Sequence, residues 1–260
     1  MGLMASLGLT TVPVRRRPRV AILSTGDELV APGTPLGPGQ IYSSNNYSLV
    51  GLVMAAGATP VDLGVAPDNL EQTVSALKKA LEFDVVVTTG GVSVGVYDYV
   101  KEAYGALGAP LDFWKVKMKP GKPLAFGRAE HDGRSIPLFG LPGNPVSCMI
   151  NFLQFVRPWL RMSLGFDAPW LPVVDARMAH GLRSKPGRAR LERVVLQRDG
   201  ETLWARSTGS QSSGVLTSMA KASGLLLLDP EIREVAEGAP VRVQVVDPDF
   251  LDGEGPDYGW

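Results

Sequence analysis

Five short segments set polar side chains beside glycine or proline, a pairing that lets the backbone approach a ligand while hydroxyls, carboxylates or ammonium groups reach it. Ser24-Thr25-Gly26-Asp27-Glu28 follows a continuous apolar run and reads equally as a ligand loop or as a polar turn with a helix cap. Ala66-Pro67-Asp68-Asn69 is a natural cap for a helix starting at Leu70. Thr88-Thr89-Gly90-Gly91-Val92-Ser93-Val94-Gly95 is richer, with Asp98 at its far end. A double glycine straight after a buried strand, flanked by hydroxyls and by the free amides of a helix start, points to a phosphate or pterin loop rather than a bare structural turn. It is neither a Walker A sequence nor a dinucleotide fingerprint. In Lys115-Val116-Lys117-Met118-Lys119-Pro120-Gly121-Lys122-Pro123, alternation puts Lys115, Lys117 and Lys119 on one strand face. That is either a lysine-guarded edge strand or an oxyanion site. Leu141-Pro142-Gly143-Asn144-Pro145-Val146-Ser147 is a helix entrance with Asn144 as N-cap and Pro145 at the first helical position, and cap and anion site can coincide.

The elements that must position these loops alternate strand and helix. Val20–Leu23 is an apolar run suited to a strand buried on both faces of a parallel sheet. Leu49, Val50, Val53 and Met54 recur at helical spacing and stop at Gly57. A strand over Val61–Val65, a helix marked by Leu70, Val74, Leu77 and Leu81, and a buried strand at Val85–Val87 follow. A helix near Tyr99–Leu107 leads to strands around Phe113–Val116, Leu124–Gly127 and Ile136–Phe139, the last two joined by an Asp132-Gly133 turn. A long helix over about 145–164, kinked at Pro158, closes the unit. Ligands bind outside the carboxyl ends of such strands, where the glycine- and proline-bearing loops fall. After the linker Asp167–Pro172 the texture becomes short strands and turns, with Asp199-Gly200 the clearest hairpin signal and Leu225–Leu228 and Val241–Val246 the clearest strands.

Composition narrows the chemistry. The 260 residues allow one large or two modest domains, and 26 Lys+Arg against 26 Asp+Glu leave no net positive field to hold nucleic acid or anionic lipid. The single cysteine, Cys148, rules out an internal disulfide framework and cysteine-based metal sites, and its apolar neighbours make it a small core residue. His131 and His180 lack metal-ligand spacing, and no nucleophile elbow is present. The apolar start Met1–Val14 has Arg15, Arg16 and Arg17 behind it and no basic residue ahead, the reverse of a secretory signal. No stretch suits a bilayer span, so the expectation is a cytoplasmic protein without nucleic-acid or membrane partners.

Taken in order, Ser24–Leu29, Gly90–Gly95 with Asp98-Tyr99, Lys119–Pro123 and Leu141–Ser147 resemble the molybdopterin molybdenumtransferases, the family of MoeA and the gephyrin E domain. Ser207–Ser213 and Met219–Gly224 extend the resemblance, which runs from about Arg19 to Asp247. It implies a three-layer α/β molybdopterin-binding domain of the MoaB/MogA kind with a mostly parallel sheet, followed by a small all-β C-terminal domain. The corresponding segments are a connector remnant at 1–18, the α/β domain at 19–166, the β domain at 172–248 and a flexible tail at 249–260. Family members carry two further domains ahead of the segment that begins here near Arg19, and one of them supplies part of the active-site cleft.

The implied reaction is ligation of molybdate to the dithiolene of adenylylated molybdopterin, with release of AMP. By resemblance, Glu28, Asp68 and Asp98 hold Mg²⁺ between protein and pyrophosphate and belong, with Lys115 and Lys119, to the catalytic set. Thr25, Gly26, Gly90, Gly91, Ser93, Pro142, Gly143, Asn144 and Pro145 hold the pterin nucleotide. Lys119, Lys122, Arg193 and Ser213 receive the molybdate. A homodimer and contact with the molybdopterin adenylyltransferase are further implications. The adenylyltransferases themselves resemble the same α/β domain, but carry Gly-Gly-Thr-Gly where this chain has Gly90-Gly91-Val92-Ser93, and lack the β domain. A non-catalytic pterin-binding scaffold is the third reading.

Overall fold

The computed structural model describes residues 1–91 and 99–251. A short exposed helix, α1 (Gly2–Ser6), leads through the arginine run to β1 (Arg19–Thr25). Then come the paired two-residue strands β2 (Leu29–Val30) and β3 (Ile41–Tyr42), then α2 (Ser44–Ala55), β4 (Thr59–Ala66), α3 (Leu70–Ala80) and β5 (Val85–Thr89). After α4 (Tyr99–Ala106) the chain forms β6 (Leu111–Trp114), β7 (Met118–Lys119), β8 (Ala125–His131) and β9 (Arg134–Leu141). The first sheet has the order β4-β1-β5-β9-β8-β6; its first four strands are parallel, and β8 and β6 are added antiparallel.

Pleating sends alternate residues of β1 to opposite faces. Ala21 and Leu23 join a core with Leu77, Val100 and Tyr104 beneath α3 and α4, while Val20 and Ile22 join Leu49, Val53, Phe152 and Leu160 on the other side. Both faces are thus covered, which is why the parallel strands are continuous apolar runs. The closing helix is interrupted. α5 (Pro145–Asn151) passes into a π-helical turn (Phe152–Val156) before α6 (Arg157–Ser163). Pro158 has no N–H to continue the ladder, and the chain meets this with a wide turn rather than the expected simple kink.

The second sheet contains β10 (Val173–Met178), β12 (Ala189–Asp199), β13 (Thr202–Ser207), β14 (Gly224–Leu228) and β16 (Pro240–Val245). β11 (Leu182–Arg183) and β15 (Glu234–Val235) pair separately, and α7 (Thr217–Ala220) precedes β14. The first sheet's connection also contributes: β7 pairs parallel with β12, Met118 opposite Ala189 and Lys119 opposite Arg190. A bridging core of Met118, Val146, Ile150 and Leu153 against Leu191, Met219 and Leu225 locks the two units together. Of the segment expected to be a flexible tail, Pro248–Leu251 form a 3₁₀ turn and 252–260 lie outside the described residues. Among the described residues no helix is long and apolar enough to cross a membrane.

Candidate functional site

The carboxyl ends of β1, β4, β5 and β9 open on one cavity of about 690 Å³. Thr25, Gly26, Glu28, Asp68, Gly90, Gly91, Pro142, Gly143, Asn144 and Pro145 all line it, although they come from four separated segments. Ser93 and Asp98 lie outside the described residues. The turn after β5 is fastened by the Gly90 amide, which donates to the Leu141 carbonyl at the end of β9 (3.1 Å). Gly90 has φ +92°, and a Cβ there would stand 2.5 Å from the Thr25 carbonyl oxygen, so two backbone segments meet where only glycine fits.

Residues that sequence reasoning did not single out complete the wall. Ser43, Ser44 and Asn45, at the start of α2, line the cavity. Asn45 Nδ2 donates to Thr89 Oγ1 (2.9 Å) and to the Gly143 carbonyl (2.8 Å), tying α2 to the other two loops. Behind it, buried Asn46 accepts from Ser24 Oγ and donates to Asp62 Oδ1 (2.6 Å) and the Gly64 carbonyl (3.1 Å). The partners of Asn45 and Asn46 are too distant in sequence for local patterning to reveal them.

The first loop is not a helix cap, contrary to one expectation, because β2 follows it. Asp27 Oδ1 instead accepts from the Asp68 amide (3.0 Å), joining the first two loops. Asp68 is pushed above the ordinary carboxyl range, first by burial and then by the charges of Asp27 and Glu28, with a hydrogen bond from the Asp27 backbone opposing. Three carboxylates therefore crowd one rim. Asn69 caps α3 as expected, its side-chain oxygen accepting from the Gln72 amide (3.1 Å). Asn144 occupies the N-cap position of α5 with Pro145 following, but its side chain makes no capping bond.

The lysine segment departs from simple alternation. β6 ends at Trp114 and Lys115 turns with φ +80°, so Lys115, Lys117 and Lys119 do not share one strand's face. The Lys115 ammonium lies 3.3 Å from the centroid of the Trp114 ring. Lys115, Lys119, Lys122, Arg193 and Ser213 fall outside the cavity lining, yet Pro123 and Gly214, next to Lys122 and Ser213, are part of it. Arg193 is buried and faces its own domain: Nε donates to Ser218 Oγ (3.2 Å) and Nη2 to the carbonyls of Ser212 (3.2 Å) and Ser210 (3.5 Å). Burial and neighbouring Arg190 lower its pKa, opposed by Glu192. The Ser213 carbonyl in turn accepts from the Val146 amide (3.1 Å), seating this loop on the start of α5.

Residues 21–162 match the family described as "Probable molybdopterin binding domain". The chain belongs to that family. Behind this molybdopterin-binding domain, residues 175–246 match the MoeA C-terminal region, domain IV. Among curated relatives, molybdopterin molybdenumtransferase 2 of Mycobacterium tuberculosis (strain ATCC 25618 / H37Rv) is 40% identical over 94% of the chain and 60% of the relative. Molybdopterin molybdenumtransferase of Nostoc sp. is 39% identical over 94% of the chain and 56% of its own length. The chain thus spans about 60% or less of these curated relatives. The crystal structure of molybdopterin biosynthesis MoeA protein from Pyrococcus horikosii superposes with a TM-score of 0.80 at 33% identity, over 94% of this chain and 58% of that one.

Outside the cavity, Cys148 is fully buried and its thiol is pushed up to about 12 by that burial, so it is a core residue and not a nucleophile. His131 Nε2 sits 3.2 Å from Glu82 Oε1 at the opposite end of the sheet from the cavity, beside the β8–β9 turn.

Proposed function

We propose that the chain takes adenylylated molybdopterin into this cavity, joins molybdate to its dithiolene and releases AMP. The observation carrying the reading is that the cavity is built by both units: the α/β domain supplies the glycine turn and acidic rim, and Gly214 and Leu216 of the MoeA-like C-terminal unit close the same space. The names of the relatives agree with it.

In this reading the Gly90-Gly91 turn, with Thr25, Gly26 and the Pro142–Pro145 segment, holds the nucleotide, with Ser93 added from the adjoining sequence. Glu28 and Asp68 are the ligands for Mg²⁺, joined by Asp98. Asp68 is raised first by burial and then by the charges of Asp27 and Glu28, and that uncompensated negative charge suits a divalent ion that takes one or two carboxylates and completes its shell with phosphate and water. When bound, such an ion offsets charge developing on the phosphoanhydride oxygens.

Lys119, Lys122 and Ser213 receive the oxyanion, and Arg193 shapes the Ser213 loop from behind. Lys115 stands outside the cavity lining with its ammonium against the Trp114 ring, and it joins the catalytic set in this reading only by leaving that ring. A homodimer, contact with a molybdopterin adenylyltransferase and a cytoplasmic setting belong to the same reading, and light scattering on the purified protein tests the first. Equilibrium titration with adenylylated molybdopterin tests the cavity assignment. Saturable binding displaced by AMP is expected, and binding that persists unchanged in a Gly90→Val variant that still folds contradicts it.

A further inference from the structure

Beneath the lysine turn lies a buried amide that no ligand-contact argument uses. Asn151 is fully buried, donates from Nδ2 to the Pro123 carbonyl (2.9 Å), and leaves Oδ1 without a partner. Gly121, at the tip of the turn, has φ +96°, and a Cβ there would overlap Asn151 Oδ1. The Asn151 head thus fills the space that any side chain at 121 would need, and fixes how deeply the turn sits.

The other anchors of the turn are main-chain bonds. Val116 N donates to the Lys122 carbonyl (2.9 Å) and Ala189 N to the Lys117 carbonyl (3.0 Å), so one limb is held by the turn itself and the other by β12. Among the described residues, Asn151 is the side chain that ties the turn to the helix beneath. Its own position is rigid: Ile150 belongs to the core shared with the C-terminal sheet, and Phe152, first residue of the π-helical turn, belongs to the core under the parallel sheet. A rigid donor between two packed cores is the arrangement that holds a binding loop to sub-ångström tolerance.

We propose that Asn151 is a positioning residue for the oxyanion, acting through the Lys119–Lys122 turn without touching the ligand. This rests on the reading of Lys119 and Lys122 as the molybdate site. Removing the Nδ2 donor leaves the half-buried Pro123 carbonyl without its side-chain partner and frees the turn to shift, so both ammonium groups lose their fixed spacing.

The test is calorimetric titration of the full chain with sodium molybdate and, separately, with adenylylated molybdopterin. Asn151→Leu, of similar volume, is expected to weaken molybdate binding about tenfold while leaving the nucleotide within about twofold, because the nucleotide cavity meets this segment at Pro123 alone whereas molybdate depends on both lysines of the turn. In a Lys122→Ala background the same substitution is expected to change molybdate binding by less than about twofold, as a shared route requires. Asn151→Ser serves in the same cycle should Asn151→Leu not fold. Equal weakening of both ligands, or an undiminished loss in the Lys122→Ala background, overturns the positioning role. Molybdate binding that is unchanged by Lys119→Ala and Lys122→Ala instead removes the oxyanion reading beneath it, which is a separate result.

Discussion

Gly90→Ala probes the point where the fold and the cavity depend on the same atom. Two costs add. A left-handed backbone with a Cβ costs about 1–2 kcal/mol, and forcing a methyl into packed surroundings costs about 1–3 kcal/mol. The second applies because the new Cβ stands 2.5 Å from the Thr25 carbonyl and 3.0 Å from Thr25 Oγ1, and the carbonyl belongs to the end of β1 and cannot swing away as a side chain can. The expected loss is about 2–5 kcal/mol, which lowers the melting temperature by about 5–15 °C for a chain of this size. Two controls divide the sum. Gly133→Ala, at φ +71° with nothing within 4 Å, isolates the conformational cost. Gly143→Ala, whose Cβ meets Gly90 Cα at an ordinary 3.7 Å, is expected to be nearly neutral. Urea unfolding and thermal melts of all three variants provide the comparison. A Gly90→Ala loss no larger than that of Gly133→Ala refutes the claim that the Thr25 backbone defines the turn.

Two further substitutions follow from the electrostatics. Because the Asp68 pKa is raised in the folded chain, its ionised form opposes folding at neutral pH, and that opposition fades as the pH falls through the raised value towards the ordinary 3.8. Asp68→Asn is therefore expected to raise the melting temperature at pH 7, with the gain shrinking in acid, and to reduce the stabilisation obtained with Mg²⁺; a pH-independent gain contradicts the cause assigned. Arg193→Lys keeps the charge but not the fork that reaches Ser218, Ser212 and Ser210, and is expected to cost about 1.5–3 kcal/mol, the scale of hydrogen bonds to a charged group. Urea titration reads that cost, and a neutral result means that the 207–216 loop holds its shape without the guanidinium.

The strands of the α/β unit were legible because burial on both sheet faces writes an uninterrupted apolar run, as in Val20–Leu23 and Val85–Val87. Helices α2 and α3 carried their own stop and cap signals at Gly57 and Asn69. Two features were not local and so were not legible. The lysine segment looks like one alternating strand, but β7 pairs with β12 some seventy residues later and the chain turns at Lys115 before it. Arg193 enters the molybdate set by resemblance alone, and nothing in the local sequence shows that the fold encloses it in the carbonyls of its own loop. The motif loops placed ten expected residues on one cavity, whereas Asn45 and Asn151 were invisible because their value lies in partners such as Gly143 and Pro123.

The central claim is that one cavity holds the pterin nucleotide and couples molybdate to loss of its adenylate. Single-turnover mixing tests it most directly: the chain is loaded with adenylylated molybdopterin and Mg²⁺, molybdate is added, and AMP is measured by rapid quench. The account predicts AMP released in proportion to bound nucleotide only after molybdate is added, with release suppressed by Asp68→Asn and Lys122→Ala. Release at the same rate without molybdate, or from both variants at the parent rate, contradicts it.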